Sequence, residues 1–211
     1  MTAPEVEIRL AWRALFCPHR ELAVERWLAR HAEPHRRYHT ATHVMWVLRH
    51  VDHLVAAEQV AEPLARVARA AALFHDVVYD PRRDDNEARS AEVAARELHD
   101  AGWAADDAAA VGALVEATAA HDPTCPLPGA TVLFDADLAI LGSAPAEYTA
   151  SVTAIRAEYA HVDEPGWRVG RVAVLQRFLD REPLYLTATM RADREARAKA
   201  NLTAELAALR G

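Results

Sequence analysis

The chain is expected to fold as one all-α domain spanning residues 1–211. Three observations lead there. Alanine, leucine, arginine and glutamate dominate while glycine supplies only 7 of 211 residues, a bias that favours helix. Apolar residues recur at helical spacing, and no run alternates β-branched with polar residues as a half-buried strand would. No repeat, low-complexity tract or linker-like segment divides the sequence, and its length is ordinary for a single domain.

The elements follow in order. Helices are expected around 5–16 and 20–31, after which Pro34 breaks the pattern. A third runs from about 40 to 57, where Val44, Val47, Leu48, Val51, Leu54 and Val55 make one apolar stripe. The fourth spans about 63–78 and gives way to the polar loop 80–85. Asp84 or Asp85 can cap a fifth over 86–100, with Gly102 just past its end. Asp106 can cap a sixth, reaching about 120, before Pro123, Pro126, Pro128 and Gly129 mark the longest irregular stretch. A short helix carries 135–141, stopped by Gly142, with Ser143 capping the next over about 145–161. Asp163-Glu164-Pro165 opens another, to about 180, and the last covers about 192–209 with Glu195 and Lys199 at i,i+4 spacing. Trp12, Trp27, Trp46, Trp103 and Trp167 read as core and helix-packing residues, without the spacing of a base-stacking platform. Tyr38 and Tyr79 read as packing residues with a polar tip.

Composition narrows the function. A net charge of −7, from 24 basic and 31 acidic residues, argues against a nucleic-acid polymer as partner. Lys199 is the only lysine, which leaves phosphate contacts to arginine and its bidentate grip. Cys17 and Cys125 are too few for a disulfide framework and lack metal-ligand spacing. There is no basic-then-apolar leader and no run near the roughly 20 apolar residues of a membrane span, so a cytoplasmic protein is expected.

The chemistry centres on His75-Asp76, set in the apolar run Ala71-Ala72-Leu73-Phe74-His75-Asp76-Val77-Val78-Tyr79. Burying an imidazole and a carboxylate there is costly unless something offsets it, and a divalent metal ion does so. His39 and His43 stand upstream, and Asp135 and Asp137 downstream. His39-Thr40-Ala41-Thr42-His43 lacks the glutamate of His-Glu-x-x-His, which excludes a zincin protease. The long intervals between 43, 75–76 and 137 suit separate helices that each donate ligands to one point. His43, His75, Asp76 and Asp137 would offer two nitrogens and two carboxylates. That set fits one divalent transition metal (Mn²⁺, Fe²⁺, Ni²⁺ or Zn²⁺, with Mg²⁺ admissible) better than an all-oxygen Ca²⁺ site.

The ordered pieces Arg36-Arg37-Tyr38-His39-x-x-x-His43, Phe74-His75-Asp76-x-Val78-Tyr79, Asn86-Glu87-x-x-Ser90-Ala91, Thr118-x-x-His121-Asp122 and Asp135-x-Asp137-Leu138 go further. With Ile155-Arg156-x-Glu158-Tyr159, Arg171-x-x-Val174-Leu175 and Ala198-x-x-Asn201-Leu202 they cover nearly the whole chain. The pattern resembles the HD superfamily of metal-dependent phosphohydrolases, and within it a branch of small bacterial proteins. The resemblance implies an HD-type helical bundle with a metal site between helices. Its motif-bearing core would cover about 36–142, with C-terminal helices of about 144–210 packed on it.

The resemblance also implies His43, His75, Asp76 and Asp137 as ligands, with Asp135 as runner-up to Asp137 or as an acceptor for a ligand imidazole. Asp76, Glu87 and His121 are the expected catalytic groups, and His39, Arg36, Arg37 and Asn86 the expected substrate contacts. Each of these has a plain structural role as its competitor. The implied activity is hydrolysis of a phosphoester or phosphoanhydride by water that the metal activates. The expected substrate is a nucleotide or other small phosphorylated metabolite, handled by a monomer or homodimer. Two other readings stay open: a metal- or nucleotide-binding sensor or scaffold without turnover, and a di-iron oxygenase that recruits His39 or His121 for a second metal.

Overall fold

The structure is a computed structural model and describes residues 4–16 and 20–211; Cys17 lies outside the described residues. Among these, ten α-helices and one 3₁₀ helix form an all-α bundle with no strand. They are α1 (Pro4–Leu15), α2 (Glu21–His31), α3 (Ala41–Ala57), α4 (Glu62–Phe74), α5 (Asn86–Asp100), α6 (Ala105–Ala117) and α7 (Ala130–Asp137). The 3₁₀ helix Leu138–Gly142 follows, and then α8 (Pro145–Glu158), α9 (Glu164–Leu179) and α10 (Ala188–Arg210).

Every residue of the apolar stripe expected on α3 is buried. Helix α4 is buried nearly all round, because Ala65, Ala68, Ala70, Ala71 and Ala72 are small enough to admit neighbours on several sides. It touches α3, α5, α6 and α7, while α10 lies across the 3₁₀ helix and α9. Helices α3 and α7, which carry His43 and Asp137, thus both pack against α4, at whose end His75 and Asp76 lie.

Helix α4 ends at Phe74 rather than near Val78. A helix terminus leaves its last carbonyls without partners, and here side chains take most of them. Trp27 Nε1 donates to the Leu73 carbonyl (2.7 Å), His75 Nδ1 meets the Ala72 carbonyl (2.9 Å), and the Val77 amide closes on Phe74 (3.1 Å). Arg36 donates to the carbonyls of Asp76 (2.8 Å) and Val77 (3.3 Å). His75 keeps helical dihedrals as the residue after the helix and Asp76 follows it in the closing turn, and both side chains face the same imidazole of His43.

Other boundaries shift for local reasons. Helix α7 begins at Ala130, after Gly129 with φ of 89°, where a Cβ would come 3.3 Å from Leu64 Cδ1. Asp85 precedes α5 but pairs with Arg83 instead of capping it, and Ala104 and Ala144, not Asp106 and Ser143, precede α6 and α8. Asp163 caps α9 as expected, accepting from Gly166 N–H at 3.0 Å. Helix α10 starts earlier than expected, at Ala188, because Thr187 Oγ1 accepts from Met190 N–H at 3.2 Å.

Asp135 requires a correction. Residues two apart on a helix diverge by about 200°, so Asp135 and Asp137 face opposite ways. Asp135 is buried and accepts from Leu186 N–H (2.9 Å), Thr187 N–H (2.7 Å) and Thr187 Oγ1 (2.7 Å). It anchors the entry to α10 and is neither a ligand nor an acceptor for a ligand imidazole. Asp135→Ala leaves those donors unpaired and is expected to cost about 2–4 kcal/mol in urea unfolding. Metal content of the folded variant should stay at the wild-type level; a matched loss of metal would return Asp135 to the site.

Candidate metal centre

His43 sits in the first turn of α3, His75 and Asp76 in the turn that ends α4, and Asp137 on the last residue of α7. Because the Ala72 carbonyl can only accept, His75 Nδ1 carries the proton and Nε2 offers its lone pair. His43 Nε2 lies 3.1 Å from that atom. Asp137 Oδ1 is 3.1 Å from His43 Nε2 and 3.6 Å from His75 Nε2, and Asp76 Oδ2 is 3.3 and 3.0 Å from the same two atoms. The donor atoms of His43, His75 and Asp137 all fall within 4.8 Å of one another, so these three form a group able to hold a metal ion. Asp76 faces both imidazoles of that group.

The electrostatics agree with the donor set. Burial alone would push both imidazoles down, yet the two carboxylates raise His43 and hold His75 well above the usual imidazole range. Burial alone would push the acids up, yet the facing imidazoles hold Asp76 and Asp137 well below the usual carboxylate range. The pocket thus demands positive charge between its two acids, which a divalent ion supplies in place of protons. Phe74 and Val77 are buried beside the doublet and keep water out.

Two further histidines border the group. His121, at φ of 46°, places Nε2 2.8 Å from Asp137 Oδ2. His39 places Nδ1 2.7 Å from Glu158 Oε2, stacks on Tyr79 with centroids 4.1 Å apart and meets His43 edge-on at 5.6 Å. Glu158 was not singled out from the sequence. Its carboxylate is fully buried and accepts from the backbone N–H groups of Arg37 (2.7 Å), Tyr38 (2.7 Å) and His39 (3.0 Å) and from Tyr79 O–H (2.9 Å). The motif around it was visible, but its partners lie 79 to 121 positions away in the chain, and nothing local announces them.

Several expected substrate contacts have other duties. The Arg36 side chain is buried, and its donors go to Glu33 and to the carbonyls of His39, Asp76 and Val77. It is a tie between the two motif segments, which corrects its expected role on phosphate. Asn86 uses its amide oxygen on Asp80 N–H (3.0 Å) and its amide nitrogen on Asp80 C=O (2.9 Å), so it closes the 80–85 loop instead of meeting substrate. Glu87 lies in the first turn of α5, which favours an acid there. The Tyr159 phenol is pushed up first by burial and then by the charges of Glu158 and Glu87.

A cleft of about 460 Å³ opens from the group along α3. His43 and Asp137 line it, Arg37 and Thr40 edge it, and His50 and Arg194 also contribute to its wall. Trp46 lines it as well and is 49% exposed, which corrects the reading of this tryptophan as core. Among the described residues no helix is long and apolar enough to cross a membrane. No protein-family model matches the chain, and neither curated proteins nor solved structures yield a match.

Proposed function

We propose that the protein is an HD-type metal-dependent phosphohydrolase acting on a small phosphorylated metabolite. One observation carries this reading: two imidazoles and two carboxylates from three separate segments come together where a cleft reaches His43 and Asp137. A divalent ion bound there would polarise a phosphoryl oxygen and acidify a water molecule. The protein's own groups do the rest, since phosphoryl transfer needs mainly positioning and charge stabilisation.

Asp76 and Asp137 supply the negative charge, and His75 is fixed in the tautomer that offers Nε2. His121, bonded through Nε2 to Asp137, would orient that carboxylate and serve as the group nearest to assist the leaving-group oxygen. His39, with Nδ1 committed to Glu158, keeps Nε2 for a contact with a phosphoryl oxygen.

The test is a screen of phosphomonoesters and nucleoside mono-, di- and triphosphates with Mn²⁺, Mg²⁺, Ni²⁺ or Fe²⁺, read by chromatography. At least one compound should turn over, with activity lost on chelation and in Asp76→Ala. Reaction in ¹⁸O-water should place the label on the phosphorus-containing product, because water attacks phosphorus. Metal-loaded protein that binds such compounds but turns none over would replace the hydrolase with a sensor.

A further inference from the structure

On α3, His43, Trp46, Val47 and His50 fall at i, i+3, i+4 and i+7 and all line the cleft. At 1.5 Å per residue this stripe runs about 10 Å from the metal-facing imidazole to His50. Across from it α8 presents Ala150, Ser151 and Ala154, again at helical spacing and all small. The gap between these walls is thus wide and largely apolar. Trp46 stands in it half-exposed, and the Arg49 guanidinium, 4.8 Å over the indole and paired with Glu7, holds the ring in place. A large aromatic face left open inside a cleft, next to a polar centre, is what a flat apolar ligand would cover.

The cations in the cleft point the same way. Arg37 and Arg194 are the two that line it. Arg37 donates to the carbonyls of Pro34 (2.6 Å) and Arg36 (2.8 Å). Arg194 is held by the carbonyls of Ala139 (3.2 Å) and Gly142 (3.4 Å) and by His50 Nε2 (3.0 Å). Glu147 adds negative charge to the wall. Arg37 makes both bonds through Nη1 and keeps Nε and Nη2 open, whereas Arg194 has both terminal nitrogens engaged. One open guanidinium edge suits a single phosphoryl group, while a di- or triphosphate chain needs a cluster of uncommitted donors to neutralise it.

We infer that Trp46 is the specificity-determining residue of the cleft, which takes a phosphomonoester with a flat apolar body in preference to a polyphosphate or a bare sugar phosphate. The inference rests on the hydrolase reading and narrows its substrate. The phosphoryl group would lie at the His/Asp group and the ring against Trp46. Water would add to phosphorus, the P–O bond to the alcohol would break, and the alcohol oxygen would leave with a proton.

The test compares 2-(1-naphthyl)ethyl phosphate, ribose 5-phosphate and ATP on the Mn²⁺-loaded protein; the two monoesters both release a primary alcohol. The naphthyl ester is expected to show at least about tenfold higher kcat/KM than either competitor, the scale of one apolar group in a pocket. Trp46→Ala should bring the two monoesters within about threefold of each other, chiefly through KM, and Trp46→Phe should restore most of the gap. Metal content and unfolding midpoint confirm that each variant is intact. Calorimetric binding of the same esters to wild type and variants runs in parallel. Equal turnover of the esters, faster turnover of ATP, or a preference that survives Trp46→Ala overturns the inference. If no compound turns over but the naphthyl ester binds in a Trp46-dependent way, the hydrolase reading falls and the inference stands. Absence of both overturns it.

Discussion

Wild-type protein is expected to come through purification with a near-stoichiometric transition metal, and His75→Ala, Asp76→Ala and Asp137→Ala each to come through nearly free of it. Each variant removes one of the four donors the proposed site would use, whose atoms stand 3.0 to 3.6 Å from the facing imidazole nitrogens. Substituting even an outer partner of a metal ligand typically weakens binding about 10- to 100-fold, so loss of a donor itself should cost at least that much. The two aspartates carry an added penalty, because their charge is what balances a divalent ion next to two neutral imidazoles. Elemental analysis after gel filtration decides the matter, with circular dichroism to confirm the helical fold. Asp135→Ala serves as the control, since it sits two residues from Asp137 and faces the α10 entry. Wild-type metal content in both His75→Ala and Asp76→Ala would place the ion elsewhere. Retention in Asp137→Ala with loss in Asp135→Ala would reverse the assignment made from the orientation of α7.

The parts of this arrangement that could be read from the sequence are those with a local signature. The α3 stripe is periodic, so its burial followed from spacing alone. His75-Asp76 showed itself as a polar pair inside an apolar run, while the preference for Asp137 over Asp135 rested on the resemblance and not on anything local. What stayed illegible depends on contacts between distant segments. Helix α4 reads as continuing to Val78 because nothing between Phe74 and Val78 breaks a helix. It stops because Trp27 and Arg36, from elsewhere in the chain, satisfy carbonyls at its end. Arg36 looked like a phosphate clamp for the same reason: charge is visible in a sequence, and the carbonyls that occupy it are not. Trp46 differs, because its place three residues after His43 already put it near the metal-facing side of α3. Its exposure depends on the small residues of α8 across the cleft.

Glu158→Ala is expected to lower unfolding stability by about 4 kcal/mol at pH 7, because it strands several buried donors at once. Glu158→Gln isolates the charge. Burial would raise this carboxyl, but the His39 imidazole and the backbone N–H groups around it hold it at about 2, against an ordinary 4.5. A carboxyl lowered on folding contributes stability that is fully present above its unfolded value and disappears as pH falls through its folded one. Here the window runs from about 4.5 down to about 2, and the contribution over it is about 3 kcal/mol at 1.36 kcal/mol per unit. Glutamine keeps an oxygen for the backbone donors of residues 37–39, but its amide nitrogen takes the place of Oε2, so the bonds that oxygen accepts from His39 Nδ1 and Tyr79 O–H are both lost. Wild type should therefore exceed Glu158→Gln by a margin that is constant above pH 4.5 and shrinks by about 3 kcal/mol towards pH 2. Urea unfolding of both proteins across that range measures the margin. A margin that does not change with pH would mean that the Glu158 charge does not stabilise the fold. The consequence reaches the metal centre, because the three amides that Glu158 holds belong to the segment that carries His39 and leads into His43.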